Sequence, residues 1–263
     1  MTSETPIQPV AAPNRPLVHV TEPEGTLGHR LRFGWVVAWS GLWTALLSPF
    51  LVVESAFRPT AETFVRWMRP WGRTILRGIG VHQRIEQRGE APDGPVVYVA
   101  NHQSSLDIPA TSAAIPKPFL YVARADLKSW PIVGWVLDRS ACLFLDRANP
   151  RRALESLQVA AKRVRAGESV LIFPEGGRSY RHGLQTFMRG SFVLAIEAGV
   201  PVVPVVLVGH PGVVHEKQGA ARGGEIACVF CEPIPTEGLR RRDAGELCDR
   251  VRAVMAAEMA RFG

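Results

Sequence analysis

PVVYVANHQSSLDIPA, Pro95 to Ala110, is the stretch on which the reading of this chain turns. Val96 to Ala100 is a short run without polar alternation, the pattern of a strand covered on both faces. Ile108-Pro109 reads as the first turn of a helix. His102 and Asp107 thus fall between the end of a strand and the start of a helix. On a continuous helix residues five apart are rotated by about 140°, and on a continuous strand they stand about 17 Å apart on opposite faces. Neither lets a carboxylate reach an imidazole. A turn through Gln103, Ser104 and Ser105 does, and such a contact fixes the tautomer of His102 and stabilises its protonated form. That is the equipment of a general base acting on a hydroxyl. The competing reading is a loop histidine beside a helix-capping aspartate.

Outward from this stretch the same alternation recurs. FLYVA, CLFLD, VLIFP and VPVVPVVLV are further apolar runs of strand length, and EIACVFCEPI also reads as a strand. Between Asp146 and Ser169 the pattern is helical: Asn149 can cap, Pro150 suits the first position and Gly167 stops it. Leu154, Leu157, Ala161 and Val164 form its inner stripe. A last helix is expected from about Ala244 to Arg261. The expected fold class is α/β, with a mostly parallel or mixed central sheet layered by helices and an N-terminal membrane-associating helical segment. Chemistry in such sheets sits in loops at the carboxyl ends of strands. With 263 residues there is room for one such domain and an appendage.

Three segments are expected: a disordered tail over 1–30, membrane-anchoring helices over 31–80, and a catalytic domain over 81–263. The tail is polar and proline-rich, with no secretory signal visible. Phe33 to Val53 is uncharged between Arg32 and Glu54 and exceeds the ~18 residues of a membrane-span candidate. Trp35, Trp39 and Trp43 fall on one face, which suits a bilayer interface better than a packed core. The next segment carries Arg66, Arg69, Arg73 and Arg77, so a second span is not expected. It reads as a basic surface helix with Phe64, Trp67, Met68, Trp71 and Ile75 on one side, kinked or split at Pro70. Arginine excess after the apolar stretch places the rest of the chain on the cytoplasmic side of a cell membrane.

The formal net charge of +7 favours anionic partners. FPEGGRSYRHG, Phe173 to Gly183, follows a strand. Gly176 and Gly177 permit a turn whose amides converge on an anion, and Arg178 and Arg181 add charge and forked donors. Glu175 can hold an acceptor hydroxyl or orient an arginine. In FLDR, Phe144 to Arg147, Arg147 can join the same anion site or belong to a surface turn with Asp146. Pro204 inside VPVVPVV argues for an edge or a bulge. The cysteines Cys142, Cys228, Cys231 and Cys248 lack metal-site spacing and read as buried thiols.

In this order NHQSSLD, FLDR, FPEGGRS and VPVVPVV resemble the four blocks of the glycerolipid acyltransferases, and among them the 1-acylglycerol-3-phosphate acyltransferase family. The resemblance covers roughly His82 to Pro235. It implies acyl transfer from acyl-CoA or acyl-carrier protein to the free hydroxyl of lysophosphatidate, giving phosphatidic acid. His102 would be the base and Asp107 its partner. Arg147, Glu175, Gly176 and Arg178 would form the acceptor's phosphate and glycerol site, and Pro204 would belong to acyl-chain or donor placement. The family's bacterial members are similar in placing a membrane-embedding helical pair before the catalytic domain. The third block often reads EGTRS, and Gly177 replaces its threonine here.

No G-x-S-x-G elbow, P-loop or dinucleotide fingerprint is present. Direct attack on the thioester is therefore expected rather than an acyl-enzyme on Ser104 or Ser105, with no metal and no redox cofactor. The expected partners are a phospholipid membrane, the lysolipid and the acyl donor; no nucleic-acid reader motif accompanies the charge. Two other readings are an amino-acid lysolipid as acceptor, and a non-catalytic membrane protein binding anionic lipid. A backbone amide near the His102 loop is expected to stabilise the oxyanion, and the sequence does not say which one.

Overall fold

The computed structural model describes residues 23–129, 133–139, 142–145, 150–180 and 182–262. Arg147, Asn149 and Arg181, and the expected tail up to residue 22, lie outside them. The chain opens with α1 (Leu27–Phe57) and α2 (Ala61–Gly78), followed by β1 (Val81–Gln87), β2 (Val97–Ala100), α3 (Asp107–Ala114) and β3 (Phe119–Arg124). Next come α4 (Val133–Arg139), β4 (Leu143–Leu145), α5 (Pro150–Arg165), β5 (Ser169–Ile172) and α6 (Gly190–Ala198). After β6 (Val202–Val208) lie the short α7 (His210–Val213), the small ribbon β7 (Val214–His215) and β8 (Ala220–Ala221), β9 (Gly224–Phe230) and α8 (Ala244–Met259).

Seven strands form one sheet in the order β1-β9-β6-β2-β5-β3-β4. From β6 to β4 all neighbours are parallel; β9 runs antiparallel to β6 and carries β1 parallel on its outer side. The sheet is thus mixed and mostly parallel. Its central strands β2, β5 and β6 are buried at every position, which is why their sequences are unbroken apolar runs. Leu157, Ala161 and Val164 of α5 pack into that core as their spacing implies. Strand β1 was not foreseen: VHQRIEQ has only Val81 and Ile85 as apolar residues, because it lies at the sheet's edge.

Pro204 is not on an edge strand, since β6 lies between β9 and β2. Its carbonyl accepts from Cys231 N, so the missing N–H faces β9. There the register breaks: Val205 pairs with Phe230, but Val202 bridges Ile234, leaving one extra residue opposite Pro204. All four cysteines are buried free thiols.

The N-terminal pair differs from expectation in four respects. Helix α1 starts at Leu27, inside the expected tail, with Thr26 Oγ1 accepting from His29 N. The tryptophans face α2: Trp35 Nε1 donates to Gly78 O at 2.9 Å and Trp39 Nε1 to Thr74 O at 3.0 Å. An indole N–H needs an acceptor when covered; the carbonyls near the end of α2 supply it to these two, whereas Trp43 Nε1 is buried with no partner among the described residues. Helix α2 is not split at Pro70. Finally, α2 is part of the domain: Phe64 and Ile75 are each 2% exposed. A Cβ on Gly72 would stand 2.4 Å from Pro109 O, so glycine is what lets α2 approach α3.

Candidate active site

Strands β6, β2 and β5 are parallel neighbours, so their carboxyl ends open on one side of the sheet. The segments that follow them carry His210, the His102–Asp107 turn and Glu175. The turn is held from below by Asn101, which is fully buried; its amide donates to Leu207 O at 2.9 Å and accepts from Leu207 N at 2.8 Å. This clamp ties the end of β2 to β6.

The turn through Gln103, Ser104 and Ser105 brings the ring and the carboxylate together. His102 Nδ1 lies 2.7 Å from Asp107 Oδ2, with Asp107 fully buried and the His102 side chain 16% exposed. The same oxygen accepts from Gln103 N at 2.6 Å and Ser104 N at 3.0 Å. Asp107 therefore bonds backward to the turn; no side-chain cap bond is made at the start of α3. Its other oxygen, Oδ1, accepts from His210 Nδ1 at 2.5 Å. Burial acts to raise the Asp107 carboxyl, but His210 and His102 outweigh it and hold the group well below the usual carboxylate range. The His102 ring stacks on Phe173, centroids 4.2 Å apart. With Nδ1 engaged, Nε2 is the nitrogen left to take a proton.

The glycine turn after β5 packs against the histidine turn. Ser179 N donates to His102 O and Tyr180 N to Gln103 O, at 2.9 and 3.1 Å. Only Gly176 uses glycine's freedom, at φ 75°; Gly177 has no positive φ, and a Cβ there would meet nothing within 4 Å. Gly176 N is spent on Phe173 O, whereas the amides of Gly177 and Arg178 have no acceptor among the described residues. These two are the amides of the turn open to an anion.

Among the described residues Glu175 has no arginine partner. It accepts from Gln185 Nε2 at 3.0 Å, and burial, opposed by that bond and by the His102 amide, pushes its carboxyl up to about 7. The carboxylate facing Arg178 belongs to Glu216, 3.8 Å from Arg178 Nη1. Glu216 Oε1 also accepts from Ser104 Oγ at 3.1 Å and from Ser105 N. Ser104 is fully buried and its hydroxyl donates toward Val214 O and Glu216.

These bonds take up most amides of the histidine turn itself. The amides of residues 103–106 are all occupied, by Asp107, Glu216 and Ser104 Oγ. Asn101, His210 and Glu216 escaped the sequence reading. Their only signal is position: polar residues at or just after the end of an apolar strand. A cleft of about 400 Å³ adjoins Gln103, lined by Leu184, Leu207, Met259, Phe262 and Arg252 among others.

The comparisons with known proteins bear on the family of the chain. The family model described as "Acyltransferase" matches residues 81–208, from β1 to the end of β6. A lyso-ornithine lipid O-acyltransferase of Pseudomonas aeruginosa is 30% identical over 78% of this chain and 81% of its own length. The chain belongs to the acyltransferase family. A 1-acyl-sn-glycerol-3-phosphate acyltransferase of Chlamydomonas reinhardtii is 34% identical over 81% of this chain, which spans 63% of that relative's length. The crystal structure of the 1-acyl-sn-glycerophosphate acyltransferase of Thermotoga maritima shares the fold, with a TM-score of 0.74 and 21% identity over 90% of this chain and 97% of that one. Within this acyltransferase, His102, Asp107, Glu175, Gly176, Gly177 and Arg178 fall inside the matched residues, whereas His210 and Glu216 lie beyond them.

Proposed function

We propose that this chain transfers a fatty acyl group from acyl-CoA or acyl-carrier protein to the free hydroxyl of lysophosphatidate, yielding phosphatidic acid. The observation that carries the reading is the contact of His102 with a buried, ionised Asp107 beside a turn that offers free amides and Arg178. His102 Nε2 takes the proton as the acceptor oxygen attacks the thioester carbonyl. The tetrahedral adduct collapses by breaking the C–S bond, and the departing thiolate takes the proton back from His102. The acceptor's phosphate is held by Arg178 and the amides of Gly177 and Arg178. The apolar cleft beside Gln103 has the lining to receive an acyl chain.

Membrane association is part of the same proposal. Leu27, Leu31, Leu42, Leu46, Phe50 and Phe57 of α1 are exposed, and this helix is long and apolar enough to cross a membrane. Trp67 Nε1 bonds Glu54, Trp71 Nε1 bonds Thr44 and Trp39 Nε1 bonds Thr74 O, so α2 runs back along α1. A crossing α1 would draw Arg66, Arg69, Arg73 and Arg77 with it, at about 2.5 kcal/mol or more each. On this reading the pair lies in one leaflet, on the cytoplasmic side, with the arginine-lined cleft of about 540 Å³ on α2 facing headgroup phosphates.

A second reading has a specific support: the relative acting on a lyso-ornithine lipid is matched over most of its length. One experiment separates the two. Purified protein and labelled acyl-CoA are incubated with lysophosphatidate, lyso-ornithine lipid and other lysolipids. Label is expected in phosphatidic acid. Incorporation only into the phosphate-free acceptor overturns the substrate, and none anywhere, with either donor, overturns the enzyme.

A further inference from the structure

His102 is one of two imidazoles on Asp107. His210, the first residue of α7, follows Gly209, whose φ of 86° turns the chain out of β6 and back over the site. The ring is fully buried, and its Nδ1 approaches Asp107 Oδ1 at 2.5 Å. Oδ2 has three donors, but Oδ1 has this one alone among the described residues. His210 Nε2 is buried and has no hydrogen-bond partner among the described residues. The Asp107 carboxylate can only accept, so Nδ1 carries the proton of this contact and the ring is a donor aimed at the carboxylate. The ionisable groups on the segments packed around it include Asp107 on α3, His102 on the turn, Cys228 and Glu225 on β9, His215 on β7, and Arg222, whose Nε donates to Gly212 O of α7. Of these, only Asp107 is bonded to the His210 ring.

We propose that His210 is a positioning residue of this active site, its Nδ1–H holding the second oxygen of Asp107 so that the carboxylate remains an anion aimed at His102. The inference rests on the acyl-transfer reading for its kinetic consequence, though not for the contact itself. The active form of the His102–Asp107 pair carries one negative charge, and the inactive form has gained a proton. A donor on Oδ1 stabilises the charged form relative to the protonated one. Removing it raises the proton affinity of the pair, wherever the proton sits, and moves the acid limb of the pH–rate profile to higher pH.

The test compares His210→Leu, which fills the space without a donor, with His210→Asn, whose amide nitrogen stands near the position of Nδ1. For His210→Leu, kcat is expected to fall about ten- to hundredfold, the loss of one bond to a charged group. Its acid limb should rise by about one pH unit, with KM little changed. His210→Asn should keep the wild-type limb and most of kcat. A His210→Leu enzyme with the wild-type limb, or a folded His210→Asn enzyme as impaired as His210→Leu, overturns the proposal. Wild-type protein labelled with 15N-histidine gives a reading independent of folding of the variants and of the substrate. The resonance lost in His210→Asn should report the Nδ1–H tautomer across the active pH range; an Nε2–H tautomer there overturns the assignment even if acyl transfer is confirmed.

Discussion

Asp107→Asn tests the centre of the mechanism. The substitution preserves size and leaves an amide oxygen for the Gln103 and Ser104 amides, so the turn should survive. What disappears is the negative charge beside His102, and the amide nitrogen in place of Oδ1 requires His210 to switch tautomer and accept at Nδ1. A nitrogen–oxygen distance of 2.7 Å sets the charge centres of imidazolium and carboxylate about 4 Å apart, worth about 4 kcal/mol at an effective dielectric near 20. That energy is available only once His102 has taken the proton, so it belongs to the transition state rather than to substrate binding. The expected result is a fall in kcat of about 10³ with KM within a few-fold. Continuous thiol release from acyl-CoA, with lysophosphatidate in mixed micelles, measures both constants, and circular dichroism checks the fold. A folded Asp107→Asn protein that retains a tenth of wild-type kcat, or whose loss is entirely in KM, would refute general-base catalysis by this pair.

Three further outcomes follow from the geometry. Glu175 is held near 7 by burial, above its ordinary 4.5, so the folded state retains a proton that the unfolded chain releases. Its contribution to stability is therefore lost as pH rises from the lower value to the higher, and Glu175→Gln should flatten the fall in Tm between pH 5 and 8; identical slopes contradict this. Gly177→Thr has open space and unstrained backbone, so its Tm and activity should stay near wild type, whereas Gly176→Ala, at φ 75°, should cost roughly 1–2 kcal/mol in denaturant melts. Gly72→Leu drives a side chain into Pro109 O and should cost about 1–3 kcal/mol and shift α3, lowering kcat as well as Tm; an unchanged Tm would remove α2 from the domain's structural core.

Much of the molecule is legible in the chain because local chemistry already specifies it. Unbroken apolar runs such as VYVA and VVPVVLV have nowhere to lie except inside a covered parallel sheet, and Pro150 with Gly167 brackets α5. The five-residue spacing of His102 and Asp107 allows contact only through a turn, so that pair could be found without coordinates. Other features depend on segments remote in sequence, and no local pattern encodes them. The tryptophan face of α1 reads as a lipid face until α2 is seen bringing the carbonyls of Thr74 and Gly78 to it. The apolar face of α2 reads as membrane-bound until Gly72 is seen against Pro109. The second imidazole on Asp107 stands 103 residues away, delivered by β6 lying next to β2. Turns and elements obey short-range sterics and burial, and so can be read along the chain; which donor meets which oxygen follows from strand order, which only the folded sheet decides.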